Sequence, residues 1–330
     1  MVHIIKKTKK TIQFMQSFKT FINTYKVECS LILSLFVLSL VWTMSSKYFL
    51  TSRNLFNILR QCSIIGTVSI GMTFVILTGG IDLSVGSVLG ISSMIAAKYM
   101  VGFGGPALSG IVVALLVGIG AGLFNGFFVS RVGLAPFIVT LAMMSIARSS
   151  TYIVCNGVSI YGFPAAYKFL GSNIIKGYVP LAGVICILLY FFAHFILTRT
   201  KVGRFIYALG GNKEAARLSG IKVEFYELLT YIISGLTAAI GGILLSARLN
   251  VVDPDAGIGL ELDAIAAVVI GGNSLFGGKG SIVGTLIGVF LVGVLKNGLN
   301  LLGVSPFWQG MGIGSIILGA LVLERVTSRS

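Results

Sequence analysis

A chain of 330 residues with 55% apolar residues, only 11% charged residues and a mean hydropathy of +0.97 carries too much apolar surface for a water-soluble fold, whose charged share is about 25%. Its net charge of +15 would point to nucleic acid in a soluble protein. Beside so many apolar segments, the Lys and Arg residues read instead as topology signals in a lipid setting, and no nucleic-acid partner is expected.

Residues 1–28 are basic, with Lys6, Lys7, Lys9, Lys10, Lys19 and Lys26, and are too long and Lys-rich to open a cleaved signal peptide. Apolar segments follow at 29–46, 62–78, 85–100, 106–130, 135–155, 179–197, 228–247, 262–272, 281–302 and 306–323. A helix rising about 1.5 Å per residue needs roughly 20 residues to cross a hydrocarbon core of about 30 Å. The sequence therefore predicts an all-α integral membrane protein of about ten transmembrane helices in one bundle, some short or interrupted. Arg131, Arg199, Lys201, Arg204, Lys213, Arg217, Lys222, Lys279, Arg325 and Arg329 fall on the side of the N-terminal lysines. The positive-inside rule then makes both termini and the loop 198–227 cytoplasmic. Three parts are expected: a cytoplasmic N-terminal segment 1–28, a transmembrane domain 29–323 and a cytoplasmic tail 324–330. Lys47, Arg53 and Arg60 run against the trend, so residues 54–61 read as an interfacial or re-entrant turn.

Glycine fills 43 positions, about twice the usual share. Much of it recurs every fourth residue, as in Gly86 and Gly90, Gly118, Gly122 and Gly126, Gly284 and Gly288, and Gly310 and Gly314. In lipid such bare faces let helices approach and supply van der Waals contact. Two stretches depart from span interiors: Gly79-Gly80-Ile81-Asp82-Leu83-Ser84-Val85-Gly86 and Gly271-Gly272-Asn273-Ser274-Leu275-Phe276-Gly277-Gly278. Both fit Gly-Gly-x-x-Leu-x-x-Gly. They read either as helix breaks on a translocation pathway or as tight helix connections.

Among the ten acidic residues, only Asp82 is flanked on both sides by apolar span. A carboxylate there needs a partner, a wet cavity or an end position. It either caps the helix that starts after Ser84 or serves the pathway, and Arg148 and Lys296 are the basic residues within spans that offer counter-charge. Cys29, Cys62, Cys155 and Cys186 lack metal-ligand spacing and read as small buried residues. The run at Lys279 departs twice from a phosphate-binding loop, with Asn273 where the first Gly belongs and Gly280 after the Lys. With two histidines, His3 and His194, and no carboxylate pair within spans, the chain shows no catalytic machinery, and no metal or cofactor is expected.

The loop 198–227 contains Asn212 as an N-cap, Glu214 in a first turn, the helix formers Ala215, Ala216, Arg217 and Leu218, and Gly220 as a stop. A short helix projecting into the cytoplasm follows, either as a solvated loop or as a docking knob. After about residue 52 the chain resembles the membrane-spanning permease subunits of ABC importers for ribose and related monosaccharides. The resemblance rests on Gly71-Met72-Thr73 through Ser87, on Gly211-Asn212 through Gly220, on Leu262-Asp263-Ala264-Ile265-Ala266-Ala267 through Gly284, and on Gly303-Val304-Ser305 with Trp308-Gln309. It implies a permease pair, made by a second copy or a homologous permease, in the bacterial cytoplasmic membrane. It also implies two ATP-binding subunits beneath the pair and an external sugar-binding protein, periplasmic or lipoprotein. Asn212, Glu214, Ala215, Ala216, Arg217 and Gly220 would then form the coupling helix, with Arg217 and Glu214 meeting the cassette. The acid-rich stretch 248–263 would face the binding protein. Gly79, Gly80, Asp82, Ser84, Gly271, Gly272 and Asn273 remain pathway or helix-break residues. The competing functions are an ion-coupled secondary transporter working through Asp82 and a membrane-embedded enzyme.

Overall fold

In the computed structural model, which describes residues 26–174 and 179–327, each of the ten apolar segments forms a helix over most of its length. Most of the basic N-terminal segment and the last three residues of the tail lie outside the described residues. In chain order the elements are α1 (Lys26–Ser45), α2 (Ser52–Leu77), α3 (Val85–Ala97, continued by a π turn at Lys98–Gly102), α4 (Ala107–Ser130), α5 (Pro136–Cys155), β1 (Ile160–Tyr161) and α6 (Ala165–Lys168). Then come β2 (Asn173–Ile174), β3 (Val179–Pro180), α7 (Leu181–Arg199), α8 (Lys201–Gly211), α9 (Lys213–Leu218) and α10 (Val223–Leu249). The chain closes with β4 (Val251–Val252), α11 (Leu260–Ile270), α12 (Ile282–Leu301) and α13 (Pro306–Thr327).

Eight of these helices, among the described residues, are long and apolar enough to cross a membrane: α1, α2, α3 with its π turn, α4, α5, α7, α10 and α12. Of the other two apolar segments, α13 has 22 residues and α11 has 11, enough to rise about 16 Å. The expected shortness of the 262–272 segment is thus real. The two-residue strands are a departure from an all-α fold: β1 pairs antiparallel with β4, and β2 with β3. They tie together the loops at the end of the bundle opposite α8 and α9.

Helix α10 sits at the centre, against α4, α2 and α3. Its contact with α4 follows from glycine. A methyl group on Gly122 would lie 2.8 Å from the Ile232 backbone, one on Gly126 would lie 2.7 Å from Leu228, and one on Gly118 would overlap the Gly235 carbonyl. Gly284 and Gly288 of α12 lie in the same way against Gly271 and Ala267 of α11. Gly310 and Gly314 break the expectation, because nothing lies within 4 Å of a methyl group at either. Helix α13 packs instead through Ile313 and Ile317.

Two boundaries move because polar side chains find partners. Residues 54–61 are the first turns of α2 rather than a re-entrant turn. Asn54 and Asn297 of α12 exchange two amide hydrogen bonds at 2.9 Å, and the Arg60 Nε donates to Asn173 at 3.2 Å. Satisfied in this way, a polar stretch continues a buried helix. Helix α10 likewise starts at Val223, ahead of the apolar segment at 228–247, because Glu227 in its first turns is paired.

Candidate functional site

The loop 198–227 folds into two helices where the sequence predicts one. Thr200 opens α8 by accepting from the Gly203 amide at 3.4 Å. The apolar residues Ile206 and Leu209 turn inward with Gly203, which gives α8 a buried face and an exposed one. Asn212 closes α8, its amide donating to the Ala208 carbonyl at 3.1 Å. Its side-chain oxygen opens α9 by accepting from the Ala215 amide at 2.9 Å, the N-cap role its sequence position indicates. At the far end the Gly220 amide donates to the Arg217 carbonyl at 3.0 Å and the Ile221 amide to the Ala216 carbonyl at 3.1 Å, so the last carbonyls are satisfied.

One face of α9 is anchored and the other is open. Ala216 packs with Leu209 and Val223 in a small apolar cluster. Lys213 reaches both carboxyl oxygens of Glu227, at 2.7 and 2.9 Å, and the Glu227 side chain is only 8% exposed. Arg217 bonds Glu224 at the start of α10 at 2.9 Å and Glu214 at 3.2 Å. The Glu224 hydrogen bond, followed by the charges of Glu224 and Glu214, holds the Arg217 guanidinium above its ordinary value. Glu214, Ala215, Arg217 and Ser219 remain exposed, and Leu218 is 83% exposed. Lys213 and Leu218 are site residues that sequence reasoning missed. An exposed Leu and a Lys fourteen residues before a Glu carry no signal until α9 folds back on α10.

The second candidate site lies between α2 and α3. Leu77 ends α2 and Gly79 adopts φ +80°, a conformation open to glycine at no steric cost. The chain then turns through Asp82, which is 1% exposed. Asp82 Oδ1 accepts from the Ser84 amide at 3.0 Å and from the Ser84 hydroxyl at 2.6 Å, and Oδ2 accepts from Ser234 of α10 at 2.7 Å. Asn125 of α4 donates to the Ser84 hydroxyl at 2.9 Å, and Thr140 of α5 donates to the Ile81 carbonyl at 3.2 Å. One buried carboxyl group thus collects α3, α4 and α10 around a single turn. Gly80 is needed here because a methyl group would lie 2.6 Å from the Tyr231 hydroxyl.

Neither expected counter-charge reaches Asp82. Arg148 donates to the carbonyls of Pro254 at 2.7 Å and Ala256 at 2.9 Å. Lys296 pairs with Asp263 at 2.6 Å. Asp82 is also not the only buried acid among the described residues, since Asp263 of α11 is buried as well. Hydroxyl and amide donors take the place of a cation at Asp82, and the Lys296 charge answers the second acid on the facing helix.

The matching Gly-rich stretch ends α11. Gly272 takes φ +84°, and the buried Asn273 donates to the Val268 carbonyl at 2.8 Å and to Thr285 of α12 at 3.0 Å. Thr285 in turn shares a 2.9 Å hydrogen bond with Thr73 of α2. Asn273 therefore closes one helix and fastens the next. The structure brings the two Gly-Gly-x-x-Leu-x-x-Gly stretches together: a methyl group on Gly277 would lie 2.8 Å from the Gly79 amide nitrogen, and the Gly278 amide donates to the carbonyl of Leu77, two residues before the first stretch, at 3.0 Å. In the acid-rich stretch 248–263, Ser159 donates to Asp253 at 2.8 Å and the Tyr152 hydroxyl donates to Asp255, while both acids stay exposed. The four cysteines are free, and three are buried.

Over residues 54–321 the chain matches the family described as branched-chain amino acid transport system / permease component. It is 44% identical over 298 residues to the ribose import permease protein RbsC of Bacillus subtilis, covering 90% of this chain and 92% of that relative. It is 39% identical over 294 residues to the D-allose transport system permease protein AlsC of Escherichia coli, covering 89% and 90%. The xylose transport system permease protein XylH of Escherichia coli is 36% identical, with coverage of 89% and 90%. Among solved structures, a metal-chelate type ABC transporter in an inward-facing conformation aligns with a TM-score of 0.51 at 14% identity, covering 91% of this chain and 99% of that one. This last likeness bears on the fold alone.

Proposed function

The chain belongs to the branched-chain amino acid transport system / permease component family, as an ABC importer permease subunit, and on that premise we propose that its cargo is a ribose-like monosaccharide. An external sugar-binding protein delivers the sugar, and ATP hydrolysis on a separate cassette subunit drives its passage. The working unit pairs this permease with a second copy or a homologous permease in a bacterial cytoplasmic membrane. In this arrangement both termini face the cytoplasm, about ten helices cross or enter the bilayer, and residues 29–323 form the transmembrane domain.

The observation that carries the mechanism is α9, a capped helix of six residues fixed to α10 on one face and exposed on the other. Asn212, Glu214, Ala215, Ala216, Arg217 and Gly220 make it the coupling helix. Asn212 and Gly220 hold its ends and Ala216 seats it, leaving Glu214, Ala215, Arg217 and Leu218 to meet the cassette. Because Arg217 is already held by Glu224 and Glu214, its guanidinium is pre-oriented, which lowers the ordering cost of a charge-assisted contact. Closure of the cassettes on ATP pushes α9, and the packed helices rock as rigid bodies between outward and inward openings. Gly79, Gly80, Asp82, Ser84, Gly271, Gly272 and Asn273 are the internally rigid breaks that carry that rocking from one helix to the next.

An ion-coupled transporter acting through Asp82 has less support. A carboxyl group fully occupied by two serines and an amide offers a passing cation little, and the acid that does face a basic residue is Asp263. The decisive experiment reconstitutes the chain in liposomes. Ribose uptake that requires the cassette subunit, the binding protein and ATP is expected, and uptake driven by a proton or sodium gradient with no ATPase present would overturn the proposal. In the assembled complex, Arg217→Glu is expected to abolish sugar-stimulated ATP hydrolysis while the subunit stays folded.

A further inference from the structure

The α8–α9 segment meets the interior of the bundle at a place where backbone touches backbone. Gly210, two residues before the Asn212 cap, lies against the Leu77 carbonyl that ends α2 and the Gly278 amide in the turn after α11. A methyl group at position 210 would overlap both atoms. Those two atoms are themselves the 3.0 Å hydrogen bond that joins the two chain breaks, so Gly210 covers the bond. A methyl group on Gly277 would lie 2.8 Å from the Gly79 amide nitrogen and 2.9 Å from the Gly210 carbonyl oxygen. One on Gly278 would lie 2.7 Å from the Gly211 nitrogen. One turn back on α8, the Tyr207 hydroxyl donates to the Gly280 carbonyl at 2.9 Å.

Contact between backbones has no rotamers through which to yield. A side chain at such a junction would absorb small movements by rotating about its χ angles, whereas close-packed main chains shift together or separate. Asn212 caps both α8 and α9, so a push on α9 reaches Gly210 within two residues.

We propose that Gly210 is a positioning residue of the transport cycle: its backbone contact with Leu77 and Gly278 transmits displacement of α9 to both interior breaks at once, the turn at 79–84 and the turn at 271–281. This rests on α9 being the coupling helix. The ion pair between Lys213 and Glu227 moves α10 alone, and the Gly210 contact adds α2, α3, α11 and α12 to the same stroke.

The chain provides its own control. Gly211, beside Gly210 in the same helix, has open space within 4 Å, and an Ala raises helix propensity by a similar amount at either position. Only Gly210→Ala adds an overlap. The test uses the complete complex of permease, cassette and binding protein in proteoliposomes, with D-ribose as probe, and measures sugar imported per ATP hydrolysed together with cassette retention. Gly210→Ala is expected to keep the cassette and hydrolyse ATP while import per ATP falls by about tenfold, within the range over which coupling residues act. Gly211→Ala is expected to match the unaltered complex. Tyr207→Phe keeps the ring and loses one hydrogen bond, so it is expected to lower import per ATP by about threefold. An unaltered ratio in Gly210→Ala, or an equal loss in Gly211→Ala, overturns the proposal. If Gly210→Ala does not accumulate, Tyr207→Phe decides, and an unaltered ratio there overturns it. Cassette-independent uptake by the unsubstituted chain would instead strike the assignment of α9.

Discussion

The turn at Asp82 and the helix α9 are both short polar interruptions of an apolar chain, and they use polarity in opposite ways. At Asp82 every donor is internal and uncharged, and the carboxyl group is 1% exposed. At α9 the partners are ionised, half in water and arranged on one face. Burial makes the first a fixed joint, because a displaced partner would leave a polar group unpaired in an apolar surround. Exposure makes the second a handle, because its outward groups exchange water for a partner at little cost. An acidic residue set among Ser, Asn and Gly thus serves as mortar in one place and as part of a grip in the other.

Graded substitutions test that contrast. Asp82→Ala leaves the Ser84 amide and two serine hydroxyls without an acceptor, and hydrogen bonds to a carboxylate contribute about 1.5–3 kcal/mol each. A loss of roughly 3–5 kcal/mol is expected, read as a collapse of monodisperse protein in detergent. Asp82→Asn, which keeps the shape, should recover part of it. An Asp82→Ala chain that expresses normally and fails only in transport would move Asp82 from joint to pathway. Lys213→Ala leaves the buried Glu227 carboxyl group unpaired. Because Lys213 itself is 46% exposed, a smaller cost of about 1–2 kcal/mol is expected in thermal unfolding. Asn212→Ala removes one cap, with a cost of about 1 kcal/mol and a loosening of α9 visible as faster hydrogen exchange at Ala215. Arg217→Ala is expected to leave the unfolding midpoint in place while sugar-stimulated hydrolysis is lost. If instead Arg217→Ala destabilised the chain as Lys213→Ala does, α9 would be mortar as well.

Much of the architecture was legible before the fold because lipid imposes a length and an apolar composition on each helix, and because glycine at four-residue spacing marks close helix contacts. The Asn212 cap was legible for the same reason that capping is local: its partner is three residues away. What escaped depends on distance along the chain. The partner of Asp82 on α10 is Ser234, the partner of Lys296 is Asp263, and the meeting of Gly79, Gly210 and Gly277 joins three separate segments of the chain. No local pattern pairs those residues. The start of α2 was hidden because Asn54 looks like loop chemistry until Asn297 stands opposite it. The packing expected of Gly310 and Gly314 shows the converse, since spacing alone marks an available face and does not supply an occupant.

Coupled transport requires α9 to be a cytoplasmic helix gripped by a separate ATPase. The most direct measurement labels Leu218→Cys, in a chain whose four native cysteines are replaced by Ala, with a membrane-impermeant maleimide in inside-out and right-side-out vesicles. Labelling only in inside-out vesicles, and protection when the cassette subunit is bound, is the expected result. Labelling from the outside, or labelling unchanged by the cassette, would contradict the account.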